Sequence, residues 1–167
     1  MVVGLNFCPF AAKEVAGETI RYQTNEAQDL QSALELLAAE CEGLDQDSEI
    51  ETTLLIFTDG FADFHPFLDL LDLANQLIDD RGYEGIYQLA SFHPDYCFAD
   101  VKSDDPSNYT NRSPFPTLHI IREESLERVL EKTANPEKIP EKNIRLTREL
   151  GTEKLQQLLN RCTDPDA

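Results

Sequence analysis

The chain has 167 residues, 41% hydrophobic and 28% charged, with a formal net charge of −18. That length closes one hydrophobic core without staples, and the composition is that of a folded domain, so disorder is not the expectation for the body of the chain. The acid excess repels phosphate backbones and anionic lipid, so nucleic acid and membrane are not expected as partners.

The four cysteines, Cys8, Cys41, Cys97 and Cys162, are scattered and form no CxxC pair. No leader and no spanning run is visible, so a soluble cytoplasmic protein with reduced thiols is expected.

In chain order, Pro9 breaks the opening segment and Ala11 to Val15 resumes a helix that Gly17 ends. Ile20 and Tyr22 alternate with polar neighbours as a short strand over 19–23. Asn25 with Gln28 fits a capping box for the next helix. Leu30, Ala33, Leu34, Leu37, Ala38 and Cys41 form its apolar stripe. Thr52 to Phe57 is a continuous apolar run, the mark of a strand, and it favours a sheet covered on both faces. Pro66 opens a helix whose stripe runs Phe67, Leu70, Leu71, Ala74, Leu77 and Ile78, and Gly82 closes it. A third strand covers 86–92 and a fourth 117–121. Helices follow around Leu126, from Pro140, and from Thr152.

Strands alternating with helices imply parallel pairing, and the fourth strand, which follows the third with no helix between, is expected antiparallel. The expected fold is α/β: a four-stranded mixed sheet with packed helices, one domain over 1–162, and a frayed tail at 163–167. Between the third and fourth strands lies a long polar insert. Connections of about 4–6 residues are usual, and long exceptions tend to be lids or binding loops.

The insert reads SFHPDYCFAD and then DDPSNYTNRSPFPTLHIIRE, and near the start stands GLNFCPF. These stretches resemble the two hallmarks of an uncharacterised bacterial family, the domain of unknown function numbered 1415. The resemblance covers essentially the whole chain, with Cys97 departing from the family pattern. It implies that Asn6, Cys8, His93, Asp95, Tyr96, Asn111, Arg112, Ser113 and His119 sit in family motifs, and it implies no activity.

The residues themselves suggest chemistry. His93 at a strand end can serve as acid or base, with Asp95 fixing its tautomer. Arg112 offers a planar fork for carboxylate or phosphate, with Asn111 and Ser113 as added donors. Tyr96 is an aromatic wall and His119 a second imidazole in the fourth strand. Asn6 and Cys8 are candidate neighbours. A helix starting at Pro9 would favour the Cys8 thiolate. His93, Asp95 and Cys97 alternate, but Pro94 bends the segment, and no metal site is assigned. Known nucleotide-binding and hydrolase signatures are absent, and no cofactor is assigned. The expectation is a protein that binds or acts on a small anionic molecule at 91–119. The alternatives are a protein-interaction module and a thiol-based redox protein using Cys8.

Overall fold

A four-stranded sheet in the order β1-β2-β4-β3 carries the fold, in a computed structural model that describes residues 1–133 and 135–163. The strands are β1 (Ile20–Asn25), β2 (Thr52–Phe57), β3 (Tyr87–Phe92) and β4 (Thr117–Arg122). β1 pairs parallel with β2, and β4 lies antiparallel to both β2 and β3. The sheet is therefore mixed, as the element order implied.

Among the described residues six α-helices surround it: α1 (Ala11–Gly17), α2 (Leu30–Gln46), α3 (Phe64–Asp80), α4 (Glu123–Leu130), α5 (Ile139–Leu150) and α6 (Thr152–Asn160). α2 starts four residues later than the capping box suggested. Asp29 is its cap and accepts from the Ser32 amide at 2.9 Å. Asn25 ends β1 instead, and its Oδ1 accepts from the Ala27 amide at 3.0 Å. Likewise α1 starts at Ala11, with Phe10 before it, so Pro9 and Cys8 lie outside the helix. Of the tail expected to fray, 163–167, residues 164–167 lie outside the described residues.

The crossovers β1–α2–β2 and β2–α3–β3 step across the sheet in one direction. Right-handed connections then put both helices on the same face. The main core follows: Leu37, Cys41 and Leu44 from α2 and Phe67, Leu70 and Ala74 from α3 close over Leu55, Phe57, Tyr87, Leu118 and Ile120.

The opposite face is different. It carries Ile20, Tyr22 and Thr24 from β1, Thr52, Leu54 and Ile56 from β2, Gln88, Ala90 and Phe92 from β3, and Thr117, His119 and Ile121 from β4. None of these is a formally charged residue type. Leu54, Ile56, Phe92 and Ile121 are only half-buried and Tyr22 is exposed. The continuous apolar run of β2 therefore does not mean two equally covered faces. One side is fully packed and the other partly so.

A second, smaller cluster joins Phe7 near the N-terminus to Tyr109, Leu155 and Leu159. Asn143 of α5 reinforces it by donating to the Phe7 carbonyl at 2.7 Å.

Candidate functional site

The segment from His93 to Pro116 is ordered by its own buried groups. Its centre is a 3-10 turn over Pro106–Thr110, in which Ser107, Asn108 and Tyr109 are buried. Asn108 is fully buried and works as an internal strut. Its Oδ1 accepts from the Phe98 amide at 3.1 Å, and its Nδ2 donates to the Lys102 carbonyl at 2.8 Å. The sequence marked this stretch as a long polar insert of the lid or binding-loop kind. Ser107 and Asn108 turn inward and Asn108, Thr110 and Asn111 satisfy backbone, as buried loop backbone requires, while Asp95, Asp100, Lys102, Ser103 and Asp104 stay exposed.

Helices α5 and α6 hold this turn from outside. The Tyr109 hydroxyl donates to Gln156 Oε1 at 2.7 Å. Arg148 pairs with Asp105 at 2.9 Å. The Arg148 guanidinium beside Asp105, together with the Ser107 amide, holds that carboxyl down at about 2. Through Phe7 and Tyr109 the two sequence motifs, GLNFCPF and NYTNR, meet on one apolar cluster.

His93 is fully buried, with its ring between those of Phe64 and Phe67, each 5.1 Å away between centroids. Its Nδ1 accepts from the Asp95 amide at 3.0 Å, and its Nε2 faces the Phe61 carbonyl at 2.9 Å. Those two partners fix the neutral tautomer with the proton on Nε2. Burial pushes the imidazole below its ordinary value, against the Phe61 carbonyl and the carboxylates of Asp95 and Asp63, which favour the proton. Asp95 orients the ring through its backbone, while the residue itself is exposed. Phe61, the recipient of the Nε2 proton, has a left-handed backbone with φ 59. That conformation costs a side-chain-bearing residue about 1–2 kcal/mol.

Arg112 stacks on Tyr109, with its guanidinium carbon 4.4 Å from the ring centroid. Its Nε donates to the Tyr96 carbonyl at 3.3 Å and one Nη to the Ser103 carbonyl at 3.0 Å. Among the described residues no carboxylate lies within ion-pair distance of it, although Asp100, Asp104 and Asp105 share its segment. Asn111 and Ser113 are turned to other work. Asn111 Nδ2 donates to the Ser91 carbonyl at 3.2 Å, tying the segment to the end of β3, and the Ser113 hydroxyl donates to the Phe115 carbonyl.

Tyr96 packs its ring on Phe64 and Phe98, at centroid distances of 5.5 and 4.9 Å. Burial raises its phenol. His119 lies on the partly covered sheet face, 6.1 Å from the Phe92 ring. The Thr52 hydroxyl donates to the Ile120 carbonyl, which leaves its oxygen to accept from His119 Nε2 at 2.6 Å. Burial pushes His119 down to about 4. Asn6 is exposed in a left-handed turn with φ 53, and Cys8 is half-buried just after it.

The structure thus brings His93, Tyr96, Asn111 and Arg112 into one connected layer, and it does not place Ser113 with the guanidinium. Sequence reading passed over Asn108 and Phe61. Asn108 carried a signal in its place amid a polar run that has to be held. Phe61 carried none, because its contribution is a carbonyl. Two shallow clefts lie along the start of α2, and the first of them meets this layer through Phe61. One, of about 290 Å³, is lined by Gln28, Asp29, Leu30, Phe61, Ala62, Asp63, Pro66 and Asp69. The other, of about 460 Å³, is lined by Asn25, Glu26, Ala27, Ser32, Glu35 and Leu36. Both are acidic and suit an anion poorly. Among the described residues no group of three or more His, Cys, Asp or Glu is placed to hold a metal ion. No helix there is long and apolar enough to cross a membrane.

Compared with known proteins, residues 1–157 match one family model, described as a protein of unknown function (DUF1415). No curated protein and no solved structure matches the chain.

Proposed function

The chain belongs to the family of unknown function DUF1415, and from that premise we propose that it binds a small anionic molecule at the surface presented by Arg112. One observation carries this reading. In a chain with 32 acidic and 14 basic residues, Arg112 keeps a guanidinium that backbone carbonyls and an aromatic face hold in place and that no carboxylate neutralises among the described residues. A planar fork stacked on a ring is preorganised for a carboxylate or phosphate, so less rotamer entropy is lost on binding. We read the protein as a binder. His93 in this reading positions the segment and takes no part as acid or base, because backbone groups occupy both of its nitrogens. Free thiols at Cys8, Cys41, Cys97 and Cys162 accord with a cytoplasmic setting.

The test is a thermal-shift screen with inorganic phosphate, phosphorylated sugars and dicarboxylates. A ligand at 100 times its Kd adds about 2.7 kcal/mol, a rise of roughly 5–10 °C in Tm for a chain of this size. Arg112→Ala is expected to abolish the shift, Arg112→Lys to reduce it, and Arg145→Ala, at an exposed ion pair on α5, to leave it intact. A shift that survives both Arg112 variants overturns the site. Should no anion shift the wild type, the protein-docking alternative gains, for which the exposed Phe115 speaks. The thiol alternative has less behind it, since Cys8 lies outside the first turn of α1.

A further inference from the structure

We infer that His93 is an acid-labile latch: its neutral ring, held between Phe64 and Phe67, ties the 93–116 segment to the β2–α3 loop, and proton uptake releases that segment. The geometry is specific to the neutral ring. Nδ1 must be bare to accept from the Asp95 amide, and Nε2 must carry the proton it gives to the Phe61 carbonyl. A second proton on Nδ1 turns the first contact into two N–H groups facing each other, and it places a full charge in a fully buried site. The His93 amide itself donates to the Asn111 carbonyl at 3.2 Å, so loss of the ring contacts loosens both ends of the segment.

The charged groups that face the ring are Asp95 on its own segment and Asp63 at the start of α3. Both favour the protonated ring, and burial opposes them and prevails. From α3 the remaining neighbours are the Phe64 and Phe67 rings, which offer no counter-charge. The sign follows. A ring whose closed-state value is depressed stabilises the closed segment fully above the free-imidazole value of 6.5. That stability is lost as pH falls below this value, until the closed ring itself takes the proton. The ratio of closed to open segment then drops by up to about tenfold per pH unit in that window. Phe61, in its left-handed backbone, is the residue freed on the other side. The latch stands independently of the anion reading, since it concerns segment opening and not a ligand.

Amide hydrogen exchange, expressed as protection factors between about pH 7.5 and about pH 5, tests the inference on the whole chain. The amides of Asp95, Phe98 and Asn111 are expected to lose protection as pH falls, with those of Leu55 and Leu118 unchanged. His93→Asn keeps an acceptor near Nδ1 and His93→Gln a donor near Nε2, and neither titrates, so both are expected to flatten the pH dependence. An equal pH slope in either folded variant overturns the latch. Should both variants fail to fold, the nitrogen-15 signals of the wild-type ring decide, with only three histidines to assign. Proton uptake at His93 without loss of protection in 93–116 then overturns it, and uptake coincident with that loss upholds it.

Discussion

Asn108 shows at the scale of one residue how a polar stretch becomes rigid. It is fully buried, and its amide satisfies groups at Phe98, Lys102 and Ser103. Removing such an amide strands the Phe98 N–H, at about 1–3 kcal/mol, and takes one hydrogen bond each from the Lys102 and Ser103 carbonyls, which keep the Asp105 amide and Arg112 as partners. Asn108→Ala is therefore expected to destabilise the protein by roughly 2–4 kcal/mol in urea unfolding, provided the segment stays packed. A loss below about 0.5 kcal/mol would show that the segment opens without affecting the rest. His93 teaches the complementary lesson about legibility. Its place at a strand end marked it in the sequence as a residue with a task. What the sequence withheld was the identity of its partners, because a backbone amide and a backbone carbonyl leave no trace in residue type. Arg112 was legible as a cation amid acids, but its stacking on Tyr109 depends on a 3-10 turn that the turn-rich composition did not reveal.

At the scale of elements, the strands were readable where apolar runs stop at turn signals, as Thr52 to Phe57 does before Asp59-Gly60. Helix starts were not, because several residues in a row could accept from the first free amides. Asn25 and Asp29 are chemically equivalent for that purpose, and it is the length of β1 that assigns the cap to Asp29. The loops after β1 and β2 touch at Gly60, where a Cβ would stand 2.0 Å from the Ala27 carbonyl oxygen. No backbone atom can be that close, so the side chain's absence is what lets the two loops dock. Gly60→Ala is expected to push them apart and cost about 2–3 kcal/mol, read as a lower urea midpoint with unchanged slope. It should also raise exchange at Ala27 and Phe61 first. A midpoint within error of wild type would mean that the loops separate freely and that the close approach carries no stability.

For the molecule as a whole, the balance of charge outweighs the individual pairs. Most ion pairs in the structure have at least one exposed partner, and exposed pairs contribute about 0–1 kcal/mol each. A net charge of −18 repels itself over distances that salt shortens, from a Debye length of about 10 Å at 0.1 M to about 3 Å at 1 M. Sodium chloride is accordingly expected to raise Tm between about 0.02 M and about 0.5 M at neutral pH, followed by circular dichroism. A falling Tm would mean that the surface pairs matter more than the repulsion. The uncharged sheet face around Tyr22 is a feature of the same scale. It was hidden in the sequence because its members are spread over four strands, and only the strand register assembles them.

The burial of Asn108 reaches beyond folding. Asn108-Tyr109-Thr110 is an acceptor triplet for N-linked glycosylation, a reaction that reaches the nascent chain before its interior has formed. A sugar attached there has no room inside the 3-10 turn. Passage through a glycosylating secretory pathway would therefore put the anchor of this segment, and with it the platform under Arg112, at the mercy of a transferase that the mature protein would never admit.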